Sequence, residues 1–112
     1  MISDRGSKYA VSGGAACNRQ AVDLFLKALK RDKKFFRATH NSWALLKSNG
    51  TPLKSDDGEA GAGLVILRML DRAALLDHII VVTRWYGGKP LGGDRFRYVQ
   101  NCVSAYLSAL EN

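Results

Sequence analysis

The sequence predicts an α+β fold, a two-layer domain in which helices pack on a roughly four-stranded mixed sheet, with residues 1–112 forming one unit. Three observations predict it. The order of periodic segments reads strand, helix, strand hairpin, helix, strand, helix. The run Ile79-Ile80-Val81-Val82-Thr83 is continuously β-branched rather than alternating, as expected of a strand covered on both faces or lying centrally in a sheet. And 112 residues with 46% hydrophobic, 24% charged and only 2 prolines have the length and composition of one globular domain rather than a linker or disordered chain.

Ser7 to Ser12 is the first strand candidate, closed by Gly13-Gly14 as a turn. From Asn18, a good N-cap, Val22, Phe25, Leu26 and Leu29 lie at helical spacing and predict an amphipathic helix ending near Asp32. Its other face carries Lys27, Lys30, Arg31 and Lys34, which Lys33 and Arg37 extend into a basic surface. A solvated helix face, with cations complementing the helix carboxyl end, accounts for this run most simply. A nucleic-acid footprint is the second reading, and it gains little from aromatic interleaving, because at least one of Phe35 and Phe36 is expected in the core.

Ala38 to Lys47 predicts a second strand, Asn49-Gly50 a hairpin turn, and Thr51 to Ser55 a short third strand that Pro52 assigns to an edge. Ser55-Asp56-Asp57-Gly58-Glu59 is expected to start the second helix, with Ser55 or Asp56 as cap. Gly61 and Gly63 then fall inside that helix, each costing ~1 kcal/mol relative to alanine, which points to close packing on the sheet or against a ligand. Leu64, Leu67 and Leu70 continue its buried face, and Asp71 to Asp77 turns the chain into the Ile79 strand. That strand ends in Arg84, Trp85 and Tyr86. Gly87-Gly88 and Gly92-Gly93 bracket Lys89-Pro90-Leu91, and Asp94 opens the last helix, which runs to Glu111 and is expected to bury Phe96, Val99, Val103, Tyr106, Leu107 and Leu110. Cys102 is read as a small residue beside that stripe.

A formal charge of +7 and a pI near 9.7 favour a polyanion or an acidic protein patch as partner. Cys17 and Cys102 are too few for a disulfide framework, no apolar run reaches the ~18 residues of a spanning helix, and the first ten residues lack a signal-type apolar region; the expected location is the cytoplasm, away from membranes. His40 and His78 are the only histidines, so neither a metal site nor a cofactor is expected. The glycine-rich loop lacks P-loop spacing, and neither cysteine has a neighbourhood that activates it.

Four pieces of the chain, taken together, resemble the signature of the IMPACT family, whose bacterial members are called YigZ: Asp4-Arg5 with Ser7; Ala38-Thr39-His40-Asn41; Asp56-Asp57-Gly58-Glu59 with Ala60 and Gly61; and Thr83 to Gly88 continuing through Leu91-Gly92 and Asp94-Arg95-Phe96. Bacterial members are more glycine-rich where this chain has Gly93-Asp94-Arg95-Phe96, so the resemblance is to the eukaryotic branch. It implies a fold like the second domain of ribosomal protein S5. It also implies a non-catalytic regulatory binding domain of translation and stress response, since eukaryotic members restrain the starvation-responsive general-control kinase by competing for its ribosome-associated activator and are linked to ribosomes and actin. Those proteins carry an RWD domain ahead of this one, and both a fragment and a stand-alone member remain open. Two other function classes stand beside this one. One is an RNA- or ribosome-binding domain using the basic run with Arg84, Lys89, Arg95 and Arg97; the other is an enzyme acting on a phosphorylated small molecule.

The expected site gathers His40, Asn41, Asp56, Asp57, Glu59, Arg84, Trp85, Gly87, Gly88, Gly92, Asp94 and Arg95 on one surface at the carboxyl end of the Ile79 strand. Within it Arg84 or Arg95 is expected to pair with Asp56, Asp57 or Glu59, because charges of opposite sign at strand ends and helix starts gain by meeting.

Overall fold

The structure, a computed structural model, describes residues 2–111. Its elements are β1 (Ile2–Asp4), β2 (Ser7–Ala15), α1 (Arg19–Leu29), α2 (Lys33–Phe36), β3 (His40–Leu46), β4 (Pro52–Ser55), α3 (Ala62–Arg72), β5 (His78–Trp85) and α4 (Asp94–Glu111). The sheet has five strands in the order β1-β2-β5-β3-β4. Every neighbouring pair is antiparallel. The α+β class expected from the sequence is the class observed, with one strand more than expected and no parallel pair. As its unbroken β-branched run requires, β5 is the central strand, and Ile79 to Arg84 are buried without interruption.

Helices flank the sheet on both faces, so the architecture has three layers where two were expected. Side chains alternate along a strand. Tyr9, Ala44, Ile80 and Val82 therefore face α3 and α4, in a core completed by Ile66, Leu70, Val99 and Val103. Trp43, Leu45, Ile79 and Val81 face the other way, where α1 covers them with Val22, Phe25, Leu26 and Leu29. Asn18 caps α1 as its sequence predicts, its Oδ1 accepting from the Ala21 N–H at 2.8 Å. Only Val22 of the α1 stripe is fully buried; Phe25, Leu26 and Leu29 are half-buried because no further element among the described residues closes over that helix.

Several local expectations are corrected. Gly13-Gly14 is not a turn: both residues lie inside β2, paired with Ile80 and Ile79. They are glycine because helices press on both faces there. A Cβ on Gly13 would lie 2.5 Å from the Tyr106 ring of α4, and one on Gly14 would lie 3.2 Å from the Phe25 ring of α1. The actual turn is earlier, at Arg5 (φ 46°) and Gly6 (φ 83°), whose left-handed geometry suits a two-residue hairpin joining β1 to β2. The Asn49-Gly50 turn and the edge position of Pro52 are as predicted.

The largest correction concerns α3, which begins at Ala62 rather than within Ser55–Glu59. Asp57 (φ 47°) and Gly58 (φ 87°) take the chain through the left-handed region, which no α-helix traverses, and Gly61 (φ 87°) repeats this at the N-cap. Asp56 still caps the helix, from a distance: its carboxylate accepts from the Gly61 and Gly63 N–H groups at 3.0 and 2.8 Å. The later start also resets the register. Ala62, Gly63, Ile66 and Leu70 are buried, Leu67 is half-buried, and Leu64 is 39% exposed. Along α4, Val99, Cys102 and Val103 are buried, whereas Phe96, Tyr106 and Leu107 are half-buried and Leu110 is 48% exposed.

Candidate functional site

Strand register puts Tyr9 opposite Arg84 and His40 opposite Arg84, so three strands contribute one row of side chains across the same sheet face. Arg84 is the centre of this row. Its guanidinium is packed between two tyrosines, 5.4 Å from the Tyr9 ring and 5.3 Å from the Tyr86 ring. Glu59, carried over the row by the loop that precedes α3, completes the cluster. Arg84 Nη1 donates to both Glu59 carboxylate oxygens, at 2.9 and 3.1 Å, and Nη2 donates to Ser7 Oγ at 3.3 Å. The Tyr9 hydroxyl lies 3.4 Å from Glu59 Oε1, and His40 Nε2 lies 3.3 Å from Oε2. Arg84 and Glu59 are 5% and 3% exposed, so this ion pair is cut off from water.

The cluster is held by the loop that carries Glu59. His40 Nδ1 lies 2.7 Å from the Asp57 carbonyl oxygen, Asn41 N–H donates to Asp57 Oδ2 at 2.7 Å, and Ser42 Oγ donates to the Asp56 carbonyl at 2.8 Å. β4 pairs with β3 only as far as Trp43, and the Asp56–Gly58 loop takes over the polar groups of β3 beyond that point. Gly58 has no room for a side chain there, since its Cβ would come within 2.9 Å of His40 Nδ1. Electrostatics follow from these contacts. The backbone N–H groups of Gly61 and Gly63 hold the Asp56 carboxyl below the usual carboxylate range, against the opposing effect of partial burial. Burial first, and the Glu59 anion second, push the Tyr9 hydroxyl well above an ordinary phenol.

The expected surface is thus divided by the alternation of the sheet. Arg84, Glu59 and His40 form the buried cluster, with Asp56 and Asp57 supporting it. Trp85 and Asn41 point to the opposite face. There Trp85 Nε1 donates to the Lys34 carbonyl at 2.8 Å and its ring packs on Phe35 at 5.4 Å, fastening α2, while Asn41 accepts from Thr83 Oγ1 at 2.7 Å. Arg95 pairs with none of the three acids; its guanidinium lies over the Phe96 ring at 4.7 Å. Asp94 is bound by Arg5, whose Nη2 donates to Oδ2 at 2.6 Å, and Arg5 also bonds Asp4, the acceptor of the Tyr98 hydroxyl. This second, exposed cluster clamps the β1–β2 turn to the start of α4, and the Tyr98 and Arg5 donors hold Asp4 below its ordinary pKa.

Gly87 belongs to that turn's packing. A Cβ there would lie 2.1 Å from the Gly6 carbonyl carbon, and its N–H donates to Ser7 Oγ at 3.1 Å. Gly88 (φ 87°) and Gly92 (φ 55°) face open space, and Leu91, 4% exposed, anchors the loop between them. Sequence reasoning misses Tyr9. Its signal is Ser7 two residues earlier on a strand, which puts both side chains on one face. Thr39 gains a role only from the structure: its Oγ1 accepts from Tyr86 N–H at 2.9 Å while its own N–H donates to the Arg84 carbonyl at 2.9 Å.

Chemically, both Glu59 oxygens are held by Arg84, with the Tyr9 hydroxyl and His40 Nε2 beside them, and burial raises the Cys102 thiol to about 11, which keeps it protonated at neutral pH. Among the described residues no group of three or more His, Cys, Asp and Glu side chains is placed to hold a metal ion. No helix among them is long and apolar enough to cross a membrane.

An α+β domain whose central strand ends in a buried Arg–Glu pair and continues into a glycine-rich loop is the class these features define. The profile described as the Impact N-terminal domain matches residues 5–107, and the chain belongs to this family. It is 36% identical over 115 residues to the Protein IMPACT homolog of Caenorhabditis elegans, covering 96% of this chain and 45% of that protein. It is 37% identical over 111 residues to Protein IMPACT of Xenopus laevis, covering 95% of this chain and 36% of that protein. The chain therefore spans less than half the length of these relatives. Among solved structures, a hypothetical protein superposes with a TM-score of 0.84 at 23% identity over 96% of this chain and 54% of that one, a likeness of fold. The two-domain translational regulator Yih1 superposes with a TM-score of 0.55 at 29% identity, over 93% of this chain and 42% of that one.

Proposed function

We propose that this domain is a non-catalytic protein-binding module of translation control. The partner assigned to it is the ribosome-associated activator of the starvation-responsive general-control kinase, for which it competes with the kinase in the cytoplasm. The observation that carries the reading is the similarity to Yih1, a translational regulator, at 29% identity over 93% of the chain. The site supports it. With both carboxylate oxygens of Glu59 bonded by Arg84, the cluster acts as a brace, and what it presents to solvent is the loop from Tyr86 to Gly93. That loop is pinned by Thr39, by Gly6 against Gly87 and by buried Leu91, which lowers the ordering cost a partner meets there. Tyr86, 47% exposed, is the aromatic anchor expected at the centre of a protein interface. Binding of the purified domain to fragments of the activator, measured by calorimetry with the kinase's binding region as competitor, tests the proposal. Binding that the kinase region displaces, and that Lys89→Ala weakens at unchanged melting temperature, is expected. Absence of binding by the native domain overturns it.

A further inference from the structure

A second surface lies away from this loop. Lys27, Lys30, Arg31, Lys33, Lys34 and Arg37 are all exposed, and among the described residues none of them has a carboxylate within 4.0 Å. The one acid within residues 27–37, Asp32, is occupied in capping α2, its Oδ1 accepting from the Lys34 N–H at 2.9 Å. Phe36, on the same one-turn helix as Lys33 and Lys34 and next to Arg37 in the chain, has 69% of its surface exposed. Its neighbour Phe35 does the anchoring, with its ring on Trp85 and its carbonyl accepting from Asn41 Nδ2 at 3.4 Å, while Trp85 bonds the Lys34 carbonyl. The Lys34 ammonium lies over the Trp85 ring at 5.2 Å. Trp85, a large aromatic at the end of the central strand, thus fixes a one-turn helix that carries Lys33, Lys34 and the exposed Phe36 ring.

We propose that the α1–α2 surface binds single-stranded RNA, with the cations following the phosphates and Phe36 stacking on a base. A solvated face accounts for the lysines; the exposed Phe36 on the helix of Lys33 and Lys34 adds a surface on which a base can stack. Exposed cations without carboxylate partners, together with one exposed ring on the same surface segment, match the two repeating features of a single strand, a charged backbone and an accessible π face. In a duplex the bases are already stacked and offer Phe36 nothing. The choice of RNA over DNA rests on the translation-control reading above; the charge and the stacking do not.

The test is fluorescence anisotropy of the intact domain with a labelled 20-nucleotide oligouridine, set beside a duplex RNA, an oligothymidine of equal length and polyglutamate. Phe36→Ala is expected to weaken oligouridine binding ~5- to 150-fold. Replacing Lys27, Lys30 and Lys33 together by serine is expected to weaken it further and to flatten the salt dependence by ~0.7 in log–log slope for each phosphate no longer neutralised. Both variants should melt as the native protein does, the side chains being exposed. Affinity unchanged by Phe36→Ala, equal binding of duplex, or polyglutamate bound as tightly through the same residues overturns the proposal, and oligothymidine bound as tightly as oligouridine overturns the assignment to RNA. Activator binding is measured separately, so a failure here and a failure of the translation reading are distinguishable.

Discussion

At the scale of single residues, the two glycine pairs show how identical residues serve different needs. Gly87 is required by contact: any side chain there enters the Gly6 backbone. Gly93 faces nothing within 4 Å and has no left-handed φ. Gly87→Ala is therefore expected to destabilise by at least ~1–3 kcal/mol through overpacking, while Gly93→Ala, which only restricts the unfolded chain, should be neutral or stabilise by up to ~1 kcal/mol. Urea unfolding of the two variants checks this, and equal losses would contradict the packing argument. Residue identity also marks the signature pieces, but not the side on which each acts. Arg84 and Trp85 are adjacent in sequence and therefore opposite in the sheet. Alternation separates them only once the strand is extended past Thr83 to its true end at Trp85.

At the scale of elements, the sequence signals that held were those with a local cause. Asn18 caps α1, Asn49-Gly50 turns β3 into β4, and the β-branched run forms β5. Those that failed depend on partners distant in the chain. Gly13-Gly14 reads as a turn until Tyr106 and Phe25 are in place on either side. β1 is too short to show alternation and is held through Asp4 on Tyr98 and the adjoining Arg5 on Asp94, both partners in the first turns of α4. Asp56 reads as a local cap, yet it binds N–H groups five and seven residues on, across a left-handed loop. Asp56→Ala should cost ~0.5–2 kcal/mol at neutral pH, the loss of an N-terminal cap. The folded pKa of Asp56 lies below its ordinary value of 3.8, so its contribution is complete above that value and is lost as pH falls through the lowered folded pKa. The difference between native and Asp56→Ala stability, measured from pH 7 to pH 2, should shrink only at the acid end. A difference independent of pH would mean that the carboxylate is not the cap.

At the scale of the whole molecule, a three-layer core positions one charged pair where β2, β3, β5 and the loop before α3 meet. The sheet contributes Tyr9, His40 and Arg84 in one row, and burial by α3 and α4 makes the pair depend on its partners. Our central claim is that Arg84–Glu59 is a structural brace for the exposed loop, and a double-mutant cycle in denaturant unfolding tests it most directly. Arg84→Met and Glu59→Leu should each cost ~3–5 kcal/mol, because each strands a buried charge, while the double variant should cost much less than their sum. Single variants that unfold within about 0.5 kcal/mol of the native protein, with costs that simply add, would contradict the brace.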